Sequence, residues 1–426
     1  MRFGDDILAQ AELATFTEVP GEVTRPYCTP SHRRAGDYLI RLMREAGMTA
    51  GFDALGNIVG RYEAGVPYAP VVMTGSHQDS VRNAGKYDGL FGILSPIACV
   101  RELHRQGRRL PYTLEIVGFG DEEGVRFGVT LIGSKAMAGS FDPAWLDRRD
   151  ADGITMREAI RTFGGDPDGW AALDRRSGLH GDVVAFVESH IEQGPTLLDE
   201  GLPVGIVTAI VGGSRIQVTV TGLAGHAGTV PMGARRDALA AAAEMVLAIE
   251  QHCSAHPGLV GTVGKLAVAP GAVNVIPERV NFTIDIRSGD DAVRRQAVEE
   301  SARTLKAIAA RRRVAISFEP FFELSAAPCD ATLQAHLAAA IEAHALPVRR
   351  LPSGAGHDAM EFPAVCPMAM LFVRCGNGGI SHHPDEALTA EDAEVATSVL
   401  LRFFEDFSPE RPRPERAQRV DRTPIE

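Results

Sequence analysis

The sequence predicts an α/β protein interrupted by a smaller α+β domain. Two observations carry that expectation. On both flanks of the chain, short apolar runs alternate with helical patterns. In the middle, strictly alternating segments follow the order β-α-β-β-α-β, the split βαβ plan. The 426 residues leave room for a large core and two or three domains.

Taken in order, Pro30 leads into a helix expected at Ser31–Ala46, with Leu39, Leu42, Met43 and Ala46 at helical spacing and Gly47 to close it. Pro70–Thr74 reads as a buried strand, Leu90–Leu103 as a helix and Tyr112–Gly118 as a strand ending in acids. Val183–Val187 is a further strand, and the Asp-, Gly- and Arg-rich stretch 141–181 is an excursion with no assigned structure. In the middle segment, strands are expected at Arg215–Thr221, Val260–Val268, Arg279–Arg287 and Val314–Phe322. Helices are expected there at Arg235–Gln251 and Asp290–Arg312. Cys366–Val373 reads as a late strand. Thr389–Phe407 is a closing helix, with Thr389 and Asp392 forming a start like a capping box. These segments divide the chain into a first part at 1–211, an inserted ferredoxin-like domain at 212–327, a returning part at 328–407 and a Pro- and charge-rich tail at 408–426 expected to be disordered.

Composition narrows the function. A formal charge of −12 argues against binding a nucleic-acid backbone, where basic faces supply most of the affinity. No apolar stretch is long enough to span a bilayer, and the start lacks a signal-like core, so a cytoplasmic protein with no membrane partner is expected. Six scattered cysteines with no C-x-x-C fit a reducing compartment.

Four polar clusters follow predicted strands, where open α/β sheets form their ligand crevice. The first is Gly75–Ser80, in which His77 is a natural metal ligand and Asp79 could accept a hydrogen bond from its second nitrogen. Asp88, before Gly89, reads locally as a helix N-cap ahead of a carboxylate that bridges two metals. The acids Asp121, Glu122 and Glu123 read alone as a solvated turn. Beside His77, one Glu could ligate a metal while its neighbour serves as general base. His190 and His382 sit in the remaining two clusters. Together His77, Asp88, Glu123, His190 and His382 suit zinc, and would accept manganese or cobalt. In the middle domain His226 lies in a glycine-rich loop, either as part of a turn or as an oxyanion partner. Asn274 and Arg287 could orient a substrate, although Arg287 shares a strand face with Asp285 and an internal ion pair is equally well founded.

The motifs GSHQDSV, KYDG, DEEGVRF, ESHIEQGP, GLAGHAGTVPMGARRDAL, NVIPERVNFTIDIR, SGAGHDA and GISHHPDE resemble the amidase and carbamoylase branch of the M20 di-metal hydrolases, over about residues 25–400. The resemblance implies a zinc-exopeptidase-like three-layer catalytic domain carrying a ferredoxin-like lid and dimerisation domain. It implies two divalent ions per subunit, Zn2+ or Mn2+ with Co2+ or Ni2+ as alternatives. His77, Asp88 and His190 would hold one, and Asp88, Glu123 and His382 the other. Glu122 would be the general base, with Asp79 behind the ligands. His226 would act across a homodimer interface. Gln193, Arg215, Asn274, Arg287, Gly356 and His357 would contact or line the substrate site. His190 stands where peptidase relatives usually have a carboxylate, which favours carbamoyl substrates. The implied reaction is hydrolysis of a ureido C–N bond, with allantoate first and N-carbamoyl-L-amino acids, ureidoglycolate or β-ureidopropionate as alternatives. The rivals are a di-zinc peptidase and a catalytically dead binding protein on the same scaffold.

Overall fold

The structure is a computed structural model. It describes residues 2–409, so nearly all of the tail expected to be disordered lies outside the described residues. The described chain opens with α1 (Phe3–Leu8) and α2 (Pro30–Glu45), followed by β1 (Thr49–Phe52) and β2 (Ile58–Tyr62). Next come β3 (Val71–His77), α3 (Leu90–Arg105), β4 (Thr113–Phe119), α4 (Ile132–Ala138), α5 (Met156–Phe163), β5 (Val183–Ile191), α6 (Thr196–Asp199) and β6 (Val204–Ile210). The middle contains β7 (Gly212–Thr221), β8 (Gly225–His226), α7 (Ala238–Ser254), β9 (Leu259–Thr262), β10 (Leu266–Ala269), β11 (Val275–Ile276), β12 (Arg279–Ser288), α8 (Asp291–Arg312), β13 (Ala315–Leu324) and β14 (Ala327–Pro328). The chain returns through α9 (Ala331–Ala343), β15 (Arg350–Ser353), β16 (Met368–Val373) and α10 (Ala390–Asp406).

Two compact units result. The first takes in the described residues up to Val207, Cys329–Leu351 and the described residues from His357 onward. The second comprises Thr208–Pro328 and Pro352–Gly356.

In the first unit the strand order is β1-β2-β4-β3-β5-β16-β6. The central β4, β3, β5 and β16 are parallel. Every residue of β3 and β4 is buried, as parallel strands covered on both faces require. An apolar cluster from α2, α3, α9, α10 and the sheet forms the core. Thr29 caps α2, its side chain accepting from the His32 N–H, with Pro30 as the first helical residue. The excursion at 141–181 is built from α5 and short 3-10 turns.

Two expected strands are longer than their apolar runs. The ladder of β3 with β4 continues to the pair His77–Phe119, and that of β5 with β16 continues to Ile191–Val373. His77 and His190 therefore project from strand ends and not from loops. The polar residues at those ends break the apolar signal without breaking the backbone pairing.

In the second unit the sheet order is β10-β12-β7-β13, all antiparallel, with α7 and α8 completing a ferredoxin-like arrangement. Val280, Phe282, Ile284 and Ile286 of β12 face the apolar core, which leaves Thr283, Asp285 and Arg287 on the opposite face. The helix expected from Arg235 begins at Ala238. Asp237 caps it by accepting from the Leu239 and Ala240 N–H groups, while Arg235 donates to the Val230 and Ala227 carbonyls. The single strand expected at Val260–Val268 is two short strands. Both pair with β12, β9 with its last residues and β10 with its first.

Candidate metal centre

The centre lies in the first unit, at the carboxyl ends of its parallel strands. Asp88 is its hub. The local reading of Asp88 as a helix N-cap is corrected by the structure: Gly89 occupies the cap position of α3, and no side chain caps it. Gly89 has φ +67°, and a Cβ there would fall 2.4 Å from the His77 carbonyl oxygen, so the turn needs glycine. With that turn in place the buried Asp88 carboxylate faces three imidazoles. Its Oδ1 lies 3.5 Å from His77 Nε2 and 3.4 Å from His190 Nε2, and its Oδ2 lies 3.3 Å from His382 Nε2. His382 Nε2 is also 3.5 Å from Glu123 Oε1. Adjacent His383 turns to Asp385 instead, at 3.6 Å.

The imidazoles are oriented by their far nitrogens. His190 Nδ1 shares a 2.9 Å hydrogen bond with the Ile191 carbonyl, and the Gly89 N–H donates to His190 Nε2 at 3.2 Å. That assigns the proton to Nδ1 and a lone pair to Nε2, as ligation requires. His77 Nδ1 bonds the Asp79 backbone carbonyl at 3.1 Å, with the Asp79 carboxylate at 3.6 Å. The tautomer control expected from the Asp79 side chain thus comes from its main chain. The carboxylate instead accepts the Glu122 and Glu123 N–H groups at 3.0 and 3.2 Å and fixes the acidic turn.

Electrostatics point to a cation. Burial pushes the Glu122 carboxyl well up, with Glu123, Asp358 and Asp79 adding to the effect against His77. Glu123 is pushed up to about 7 by burial, and then by Asp88 and Asp79. Burial opposes ionisation of Asp88, but His382 and His77 outweigh it and hold the group well below the usual carboxylate range. Burial lowers His190 to about 4, which keeps the ring neutral. Asp88 Oδ2 is a buried oxygen with no hydrogen bond. A crowded set of shielded carboxylates facing imidazole nitrogens is one whose charge a divalent ion neutralises. His77 groups with Glu122 and Glu123, and His190 with Glu188 and His357; two further donor groups at the centre also have ligand atoms close enough to share an ion: His77, Asp88 and His190, and Asp88, Glu123 and His382. They share Asp88, and the donors fit zinc or manganese.

Gln193 donates from Nε2 to Asp88 Oδ1 at 3.1 Å and lies 3.2 Å from Ser381 Oγ. Gln193 and His382 both have positive φ, 56° and 54°. Such backbone costs about 1–3 kcal/mol per residue and collects at functional sites. His357 is buried, its ring 4.5 Å from that of His190. Gly356 ends the return segment of the second unit.

The remaining expected site residues lie in the second unit. His226 pairs with Val275 in the two-stranded ribbon of β8 and β11, and Asn274 directly precedes that ribbon, its carbonyl accepting the Ala227 N–H. Arg287 donates from Nε and Nη2 to Asp285 at 3.1 and 3.0 Å, and Arg215 Nε donates to the same carboxylate at 3.1 Å. The internal ion pair weighed for Arg287 is therefore present. Arg215 and Arg287 also line a cavity of about 740 Å³ together with Lys265, Phe321 and Pro352.

Sequence reasoning missed three buried acids around the centre. Glu386 accepts the Tyr87 and Asp88 N–H groups at 2.8 and 3.2 Å and the Ser381 hydroxyl at 2.7 Å, tying the Asp88 turn to the His382 loop. Glu188 accepts from Ser76 Oγ and the Ala359 N–H, and burial pushes it up to about 7. Asp358 lies buried beside it, pushed well up by burial and by Glu188. Glu188, Asp358 and Glu386 all stand in quoted motifs, but no spacing distinguishes such supports from solvated acids. Glu386→Gln is expected to weaken metal retention by roughly 10- to 100-fold, as loss of an outer partner does. Metal content after dialysis against a chelator series measures it, and unchanged retention would remove Glu386 from this role.

The fold and this donor set define a histidine–carboxylate centre at the strand ends of an α/β protein. The model of Peptidase family M20/M25/M40 matches residues 66–406. The chain is 43% identical over 380 residues to an N-carbamoyl-L-amino acid amidohydrolase of Geobacillus stearothermophilus, covering 89% of this chain and 92% of the relative. It is 38% identical to a probable allantoate deiminase of Oryza sativa subsp. japonica, covering 94% and 88%. The crystal structure of an amidase of the hydantoinase/carbamoylase family from Burkholderia multivorans superposes with a TM-score of 0.86 at 34% identity, covering 94% of this chain and 97% of that one. The chain belongs to the M20 family. It is a hydrolase acting on C–N bonds. Among the described residues no helix is long and apolar enough to cross a membrane, and all six cysteines are free thiols.

Proposed function

We propose that this hydrolase cleaves the carbamoyl C–N bond of a small ureido substrate bearing a carboxylate, with allantoate as the first candidate. The observation that supports it most is the single buried carboxylate of Asp88 meeting His77, His190 and His382, with half-buried Glu122 grouped beside His77 and Glu123. A second reading, N-carbamoyl-L-amino acid hydrolysis, is favoured by the relative at 43% identity.

Two divalent ions, Zn2+ or Mn2+, held by His77, Asp88 and His190 and by Asp88, Glu123 and His382, would polarise the scissile carbonyl and acidify water there. Glu122, already inclined to hold a proton, takes one from the attacking water and delivers it to the departing nitrogen. The nitrogen leaves as ammonia, and the water oxygen stays on the carbonyl carbon as a carbamate that loses carbon dioxide. Asp79 keeps Glu122 in place by binding its N–H. Gln193 restrains Asp88, and Glu386 restrains the turn that carries it.

The second unit is assigned the role of lid and dimerisation domain. Its Arg287, Arg215 and Asn274 are assigned the substrate carboxylate and ureido group, and His226 the developing oxyanion of a partner subunit. Arg287→Ala is expected to raise KM by roughly 10- to 100-fold for carboxylate substrates, the effect of losing hydrogen bonds to a charged group. An amide analogue should show no such loss. Heterodimers carrying His226→Ala in one subunit and Arg287→Ala in the other test site sharing: activity that ignores the pairing would count against it.

The deciding assay is ammonia release from allantoate, N-carbamoyl-L-amino acids and ureidoglycolate, beside dipeptide cleavage, with zinc, manganese and cobalt. Dipeptide cleavage without ammonia release would establish the peptidase. Less than one metal per chain with no turnover would establish a binding protein.

A further inference from the structure

A second set of metal-ligand side chains lies wholly within the second unit, between its two helices. His252 sits in the last turn of α7, and His256 follows four residues later, just past the helix end. Glu300 comes from α8, which packs along α7. The two imidazole rings have centroids 4.7 Å apart. One ligand atom from each of the three residues lies within 4.8 Å of the others, and His252 Nε2 is 3.7 Å from Glu300 Oε2.

The remaining contacts leave these atoms free to ligate. His256 Nδ1 shares a 2.8 Å hydrogen bond with the His252 carbonyl, which places the proton on Nδ1 and turns Nε2 outward as a lone pair. His252 Nε2 is shielded from solvent and has no hydrogen-bond partner, an unusual condition for a ring nitrogen. On Glu300, Gln296 Nε2 donates to Oε1 at 3.0 Å and Arg303 lies 3.6 Å from the same oxygen. That leaves Oε2 toward the histidine. Two imidazole nitrogens and one carboxylate oxygen, with a fourth position open to water, are the donors a late first-row divalent ion takes.

We infer that His252, His256 and Glu300 form a binding site for one divalent late transition-metal ion, zinc-like in preference, that cross-links α7 to α8. The ion adds a cross-link to helices that also meet through apolar contacts and through the ion pairs of Glu244 on α7 with Arg311 and Arg312 on α8, and it holds the end of α7 in place. Its ligands are none of the groups assigned to hydrolysis, so the site stabilises the second unit without entering the reaction.

The test is metal stoichiometry on the full chain. Chelator-stripped protein is titrated with Zn2+ against a chromophoric competitor, for wild type and for His252→Ala/His256→Ala. The double variant should bind one equivalent fewer, while turnover of the metal-loaded enzyme stays at the wild-type level. Glu300→Gln keeps the side-chain shape and should weaken that one equivalent by at least about tenfold, since even outer partners of a metal contribute that much. It decides the matter if the double variant does not fold. Zn2+ should also protect His252 and His256 from carbethoxylation, read by mass spectrometry of their peptide. Equal stoichiometry and affinity in wild type and both variants, or equal labelling with and without Zn2+, would overturn the site.

Discussion

Glu122→Gln is expected to lower kcat by about 10²- to 10⁴-fold, the contribution of a positioned general base, with metal content unchanged. The substitution keeps the side-chain volume and the backbone bond from Glu122 N–H to Asp79. It removes the only group in the proposed scheme that both accepts and returns a proton. Two measurements separate this role from ligation: metal per chain by elemental analysis, and kcat under saturating substrate. A variant that loses metal would make Glu122 a ligand. A variant that keeps more than a tenth of wild-type turnover would require another base, and Glu188 and Asp358, both buried with raised pKa values, would be the next groups to change.

Asp88→Asn should have the largest effect on metal. Its two oxygens lie within 3.5 Å of three imidazole nitrogens, so one neutralised side chain removes the common donor of both ligand groups. Retention should fall by more than about 100-fold, beyond the upper range for a supporting partner, and turnover should fall to background. The fold should survive, because the turn is held by main-chain N–H groups to Glu386 and by Gly89. Far-UV circular dichroism and metal analysis on the same preparation test both statements. Full metal content in this variant would dismantle the shared-carboxylate geometry.

Much of this site was legible before any coordinates. His77, His190, the acidic run at 121–123 and the histidine pair at 382–383 stand out because imidazoles and acids collect after apolar runs, and such positions in an α/β sheet face one crevice; choosing Glu123 and His382 from their neighbours rests on the motifs. Asp88 was legible only through its motif. A carboxylate before glycine at a helix entrance has the sequence of a cap, and only the positive φ of Gly89 and the placement of His190 turn it inward. The role of Asp79 shifted for a related reason: a residue two positions after a strand end can offer either its carbonyl or its carboxylate, and local sequence does not say which. The hairpin of β1 and β2, with strands of four and five residues, is too short for alternation to be readable.

By itself, the sequence determined the alternation of strands and helices, the switch to a split βαβ segment, the family and the donor types, because each of these is written in residue order and spacing. Only the tertiary structure decided which donors converge. It also decided that Asp88 serves three histidines, that Glu386, Glu188 and Asp358 stand behind them, and that His252, His256 and Glu300 meet across two helices. Convergence depends on distances between segments up to hundreds of residues apart, and those are set by sheet order and packing, which no local pattern encodes.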